Sequence, residues 1–415
     1  MEEGDYVNSF KDVACNEQNK NWEQLKKRET ALYSRDGDIR SEFQRDYTRI
    51  LHSQGYRRLK HKTQVFFNIE NDHICTRMEH VAHVESVAVT IAQSLGLNVD
   101  LVRAIALGHD IGHAPFGHRG EEVISAISEK YLHKKFWHER NGLRFVDDIE
   151  LLPDSRDYRK NLNLTYAVRD GIISHCGEID CNHESPREEL FDLDQFTEPG
   201  QYSAATWEGC VVKVADKIAY VGRDIEDAIC LGFIDSAGQE KLRRIADSYE
   251  QDAINTTVIM SKMILDICQN SSPEKGICLS EDGFRQLKEV KEFNYKMIYK
   301  NKRLKPFMDF SELVLNSIFD VLKDCYRGEF TFYQIEKLRR DSETLVDSFS
   351  KWLARYCDYE IVPERLMGGI ARNCVNKKIY QKLENEEIYY QAIIDYMTGM
   401  TDRYAIKIFD ELLAY

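Results

Sequence analysis

The chain has 415 residues, 43% of them hydrophobic, a formal charge of −14 and a mean hydropathy of −0.50. This supplies ample apolar side chain for a large core, yet no run of about 18 apolar residues that could cross a bilayer. So negative a chain repels polyanions, which excludes a general nucleic-acid or anionic-membrane binder. The N-terminus, MEEGDYVNSFKDVACNEQNK, has neither the basic nor the apolar region of a signal peptide, so a cytoplasmic protein is expected. The 11 cysteines, odd in number and scattered through apolar patterns, fit reduced thiols better than a disulfide framework.

Residues 1–30 are polar and poorly patterned and read as a mobile or partner-docked arm. Over 38–60, Phe43, Tyr47, Ile50 and Leu51 share one side of a helix, and TQVFF at 63–67 is the best strand candidate. Val81, Val84, Ala88, Ile91, Ala92 and Leu95 then recur at steps of three and four, predicting an apolar helix face with His80 beside it. A second helix runs toward Asp110, with Gly108, Gly112 and Pro115 marking its end. Further helices are predicted at 123–132, 138–149, 164–175 and 206–230, separated by Pro153 and by a long turn-rich loop at 177–203. Helical patterns continue from 237 to the end, with loops at 270–276 and 362–369. The expected fold is all-α, with at most a short β-hairpin.

Four residues stand out as metal ligands: His80, His109, Asp110 and Asp216. Two imidazoles and two carboxylates suit a borderline-to-hard divalent ion, with manganese, magnesium, iron, cobalt, nickel and zinc all compatible. Neighbours on a helix point about 100° apart, so His109 and Asp110 reach one ion only where their helix ends. Asp216, Tyr220 and Asp224 lie at i, i+4 and i+8, a polar line beside apolar Val212, Ala215, Ile218, Ala219 and Ile225. Such a line is costly to bury unless it serves a site or a network. His118 and Glu121, at i and i+3, could pair as imidazole and supporting carboxylate for proton transfer near neutral pH. His113 and His138 are further candidates, although a single histidine is more often a core or surface residue. The group His175, Cys176, Cys181 and His183 matches no common zinc motif. Basic runs at Arg57, Arg58, Lys60, His61 and Lys62, and at Lys300, Lys302, Arg303 and Lys305, are solvated faces or phosphate contacts.

The order H…HD…D, with RRLKHKTQVF, TRMEH, ALGHDIGHAPFGHRGE, ADKIAYVGRDIEDA and the late DYMTGMTDRYA, resembles the HD-domain deoxynucleoside triphosphate triphosphohydrolases, the dGTPase family. The resemblance runs in order over about 35–235 and returns at 395–405. It implies an N-terminal arm (1–34), a metal-dependent phosphohydrolase core (35–235), and a helical region (236–415) contributing to pocket and oligomer interface. It implies that His80, His109, Asp110 and Asp216 hold one divalent metal, with manganese or magnesium favoured, and that His118, Glu121 and His138 are catalytic. Gln64, Arg77, His113, Lys217, Tyr220 and Asp224 correspond to substrate-binding positions. Of these, Arg77 and Lys217 would grip the triphosphate, Gln64 and Asp224 the sugar 3′-hydroxyl, and Tyr220 would stack on the deoxyribose. The implied reaction turns a dNTP into deoxynucleoside and tripolyphosphate by water attack at the α-phosphorus. A dimer-based tetramer or hexamer and an activating nucleotide at a separate site are also implied, whereas base preference does not follow. Two other readings stay open. One is an HD phosphohydrolase acting on a nucleoside monophosphate, cyclic dinucleotide or guanosine polyphosphate. The other is a non-catalytic nucleotide or single-stranded nucleic-acid sensor.

Overall fold

The computed structural model describes residues 9–32, 37–66, 71, 73–176, 182–247 and 256–413. They form α-helices, with a long irregular stretch over 182–206 ahead of Trp207–Cys230, and the regular β-structure among them is one antiparallel pair, Leu152–Pro153 with Arg159–Lys160. The all-α expectation, with its short hairpin, therefore holds. No described helix is long and apolar enough to cross a membrane.

Two units are distinguished. The first takes Met1–Leu51, Ile69–Asp110 and Leu164–Lys305. Its centre is the helix Arg77–Leu95, packed against Val99–Gly108 and Trp207–Cys230. The apolar stripe read from the sequence is the buried one: Val81, Val84, Ala88, Ile91, Ala92 and Leu95 are all sealed from solvent. Local chemistry sets the helix ends. Thr76 and Glu79 form a capping box at the start, and Gly96 takes the left-handed conformation at the end, with φ 78°. Asn98 and Thr206 cap the two partner helices by accepting from Leu101 N and Gly209 N.

The second unit takes His52–Asn68, Ile111–Asn163 and Pro306–Tyr415. Val123, Ile124 and Ile127 of the helix Gly117–Leu132 share an apolar cluster with Ile318, Phe319, Phe349, Tyr389 and Ile393. The late motif DYMTGMTDRYA is structural in this unit. Asp395 receives Arg144 at 2.8 Å and the Tyr380 hydroxyl at 2.6 Å, and Asp402 accepts the backbone N–H groups of Thr63 and Phe116, each at 2.9 Å. Lys62, from the first basic run, is buried and donates to the carbonyls of His113 and Thr398, while Arg58 pairs with Glu150.

Four expectations change. Residues 9–32 of the expected arm are packed rather than loose: Phe10 N donates to Leu95 O at 2.9 Å, its ring lies 4.8 Å from that of Trp207, and Cys15 N donates to the buried Glu208 at 2.9 Å. The run 38–60 is broken at Ser53, whose extended backbone (φ −67°, ψ 153°) and side chain cap a new helix, Gln54–Arg58. Thr63–Phe66 is not a strand, because the Thr63 N–H is taken by the Asp402 carboxylate instead of a neighbouring chain; Phe67 lies outside the described residues. The loop expected at 362–369 is mostly helix, since Pro363 precedes a first turn beginning at Glu364 and the helix Glu364–Asn373 runs through the glycines that suggested a break. Of the group at 175–183, His175 Nδ1 meets Ile172 O, His183 Nδ1 meets Lys275 O, and Cys181 lies outside the described residues.

Candidate active site

In the first unit, the end of the Val99–Gly108 helix delivers His109 and Asp110 together, as the glycine at its terminus suggested. His109 Nδ1 lies 2.7 Å from Ala106 O, one turn back, which fixes the ring and turns Nε2 toward the carboxylates. Nε2 lies 3.9 Å from both Asp110 Oδ1 and Asp216 Oδ1 and, although buried, has no hydrogen-bond partner among the described residues. His80 Nε2 is 3.0 Å from Asp216 Oδ1. The donor atoms of His80, His109 and Asp110 all fall within 4.8 Å of one another. Ligands bound to one ion at about 2.0–2.2 Å lie roughly 3–4.4 Å apart, so this set fits a single divalent cation after shifts of a few tenths of an ångström.

The electrostatics agree with that fit. Burial pushes the His109 imidazole below its ordinary pKa against the pull of Asp110 and Asp216, which keeps it in the neutral, ligating form. Burial opposes ionisation of Asp216, but the hydrogen bond and charge of His80, with His109 and His175 nearby, hold its carboxyl well below the usual range. His175 was not singled out as a member of this group. Its ring lies 5.0 Å from that of His109, and its Nδ1 meets the carbonyl three residues back, the same device that orients His109.

Arg77 stands at the edge of the cluster. Its Nη1 donates to both Asp110 oxygens, at 3.0 and 2.8 Å, while its buried Nε and Nη2 have no hydrogen-bond partner among the described residues. A buried guanidinium with spare donors beside carboxylates is suited to an anion held next to a cation. Lys217 is buried, with its ammonium 3.9 Å from Glu184, and Lys213 pairs with the same carboxylate at 2.9 Å. Farther along Trp207–Cys230, Tyr220 is half-buried and Asp224 fully so. Asp224 Oδ2 accepts the Tyr299 hydroxyl, and burial raises its carboxyl to about 7.

The second unit holds the other predicted group. Glu121 accepts from His138 N at 2.8 Å and lies 3.1 Å from His138 Nδ1 through each oxygen; His113 Nδ1 is 3.8 Å away. The rings of His113 and His138 stack at 3.8 Å, and that of His118 lies 5.8 Å from His113. Gly112 permits this assembly: a Cβ there would come within 2.1 Å of Gly142 N and 2.2 Å of His138 O. Burial disfavours the Glu121 carboxylate, but the charges of His138, His113 and His118 and the His138 hydrogen bond outweigh it and hold the carboxyl far below its ordinary value. Glu121 is therefore ionised across the physiological range, serving three imidazoles. Gln64 is buried, and its Oε1 has no hydrogen-bond partner among the described residues.

The HD domain family model matches residues 77–221, a span containing all four predicted ligands. A deoxyguanosinetriphosphate triphosphohydrolase-like protein of Clostridium tetani is 32% identical over 378 residues, 90% of this chain and 86% of that one. The chain belongs to this family. It is a phosphohydrolase of the dGTPase group, and like-named proteins of Desulfatibacillum aliphaticivorans (37% identical over 68% of this chain and 73% of theirs) and Rickettsia bellii (28% over 90% and 92%) agree.

Proposed function

We propose that the protein is a metal-dependent dNTP triphosphohydrolase that converts a dNTP to its deoxynucleoside and inorganic tripolyphosphate. The observation that carries the reading is the buried group of His80, His109 and Asp110, with the partly buried Asp216 3.0 Å from His80 and Arg77 keeping unspent donors beside it: a cation site with an anion grip. A divalent ion bound there would polarise a phosphate oxygen and lower the pKa of a bound water.

The chain's own residues supply the rest. Arg77 and Lys217 bind the triphosphate, Asp224 and Gln64 accept or donate to the sugar hydroxyl, and Tyr220 stacks on the deoxyribose. In the second unit, Glu121 holds its histidines in one orientation, and His118 carries the proton, with His138 and His113 binding phosphate oxygens. Water forms the new bond to the α-phosphorus, the bond to the 5′-oxygen breaks, and that oxygen leaves protonated. Catalysis is then positioning and charge compensation, as for other phosphoryl-group chemistry. A cytoplasmic homo-oligomer, a dimer-based tetramer or hexamer, controlled by a nucleotide at a separate site, completes the proposal.

The test is a product assay. Metal-supplemented protein is given each dNTP and NTP, singly and mixed, and products are resolved by anion exchange. Deoxynucleoside with tripolyphosphate, lost in Asp110→Ala and His118→Ala, is expected. Orthophosphate or pyrophosphate would point to another HD-type nucleotide hydrolase.

A further inference from the structure

Two buried acids of the first unit, Asp46 and Asp170, have both carboxylate oxygens satisfied, whereas Glu208 takes Cys15 N and Asn98 N on Oε1 and has no hydrogen-bond partner on Oε2 among the described residues. Asp46 receives Arg28 on one oxygen and both Thr165 N (2.9 Å) and Thr165 Oγ1 (2.7 Å) on the other. Asp170 receives Arg187 on one oxygen and Ala205 N, at 2.6 Å, on the other. Asp224 is as deeply buried but differs: Oδ2 accepts the Tyr299 hydroxyl, and Oδ1 has no hydrogen-bond partner among the described residues. A buried carboxylate oxygen left without a donor is costly, and Asp224 Oδ1, on a residue already assigned to the sugar under the proposed function, is open to a ligand donor.

Tyr299 reaches Asp224 through an irregular piece of backbone. The helix Glu281–Asn294 passes into a π-type turn, Tyr295–Tyr299, which adds a residue to the turn and swings the last side chain out of the helical register. Asn294, fully buried, donates from Nδ2 to Val221 O at 3.0 Å and so fastens the start of that turn to the helix that carries Asp224. The phenol is a committed donor, because burial and the Asp224 charge push its own pKa well above the ordinary value.

We infer that Tyr299 is a positioning residue for sugar recognition: it occupies Asp224 Oδ2, fixes the carboxylate's rotation, and leaves Oδ1 as the acceptor for the substrate's 3′-hydroxyl. The inference rests on the proposed dNTP hydrolysis and adds a residue to it. It also assigns a task to the π-type turn, which otherwise interrupts a regular helix. Protonation of Asp224 does not remove the arrangement, since a carboxylic acid held by Tyr299 still presents one oxygen to the sugar.

The test compares kcat/KM for a dNTP and for the matching 2′,3′-dideoxynucleotide, which lacks the 3′-hydroxyl, in the metal-loaded wild type, Tyr299→Phe and Asp224→Asn. The wild type is expected to prefer the dNTP by tenfold or more. Tyr299→Phe should cut that preference about tenfold, mainly by raising KM for the dNTP while leaving the dideoxy substrate nearly unchanged. Asp224→Asn should cut it at least as far. Thermal unfolding establishes that each variant is folded, and Tyr299→Met, of similar reach and without a donor, takes the place of Tyr299→Phe if the latter does not fold. An unchanged preference in a folded Tyr299 variant, with Asp224→Asn losing it, overturns the role of Tyr299 and leaves dNTP hydrolysis standing. Absence of dNTP turnover in the wild type overturns both together and is read separately.

Discussion

The two histidine-rich clusters of this molecule engage their carboxylates differently. In the first unit, His80, His109, Asp110 and Asp216 pair only in part: His109 Nε2 is buried without a hydrogen-bond partner among the described residues, and Arg77 keeps two donors unspent. In the second, Glu121 is bonded through both oxygens to His138, with His113 close by, and its carboxyl is held far down by the surrounding imidazoles. A buried imidazole nitrogen and guanidinium donors left over beside carboxylates are organised for something that arrives, whereas an ionised carboxylate bonded to an imidazole through both oxygens holds that ring's tautomer. On the proposed function, the same residue types divide into a cation-and-anion receptor and an acid–base group.

Removing Asp110 should break the contrast most severely. Asp110→Ala takes a proposed ligand from the metal set and leaves the Arg77 guanidinium buried without its carboxylate, a loss typically of about 3–5 kcal/mol. Calorimetric titration with Mn2+ should show binding abolished, turnover should fall by more than about a thousandfold, and the unfolding midpoint should drop. His109→Ala should lose metal and activity alike at a smaller cost in stability, because no buried charge is stranded. Equal unfolding midpoints for the two variants would contradict the Arg77–Asp110 account.

Glu121→Gln sharpens the comparison from the other side. It should lower kcat by about a hundredfold or more while metal affinity stays at the wild-type level. A parallel loss of metal binding would show that the two clusters are not chemically distinct. A smaller effect concerns Asp224. Its carboxyl titrates near 7 folded but near 3.8 in an unfolded chain, so between these values the folded state binds the additional proton. Stability therefore falls as pH rises from about 4 to 7 and levels off above. Asp224→Asn lacks this penalty, so its stability relative to wild type should climb across the same window in denaturant titrations of metal-free protein; a flat difference would remove the burial argument. Smallest is Asp402→Asn, which weakens the hold on Thr63 N and Phe116 N and should cost about 1–2 kcal/mol with metal affinity intact.

What could be read in the sequence was whatever repeats with a helix's own period or stops it. The stripe from Val81 to Leu95 is buried as its spacing requires, and Gly108 ends the helix so that His109 and Asp110 emerge together. Residues 9–32 carried no such signal, because single anchors hold them: Phe10 on Leu95 and Trp207, and Cys15 on Glu208. The strand expected at TQVFF failed for a related reason. Its apolar residues are real, with Phe66 buried, but its N–H at Thr63 is claimed by an aspartate 339 residues away. Tyr299 could not have been found by pattern at all. It lies 75 residues from Asp224, and only a π-type turn, which has no spacing signature, aims it there. Lys217 was legible as a cation on the Asp216 helix, but its companions Glu184 and Lys213 were not, since they meet only through the fold.

The most direct measurement of the central claim is turnover of a dNTP in 18O-labelled water by the metal-loaded wild type, with products separated and weighed by mass spectrometry. The account predicts one 18O in the tripolyphosphate and none in the deoxynucleoside, because water bonds to the α-phosphorus and the bond to the 5′-oxygen breaks. Label in orthophosphate or pyrophosphate, or in the 5′-hydroxyl of the deoxynucleoside, would contradict it.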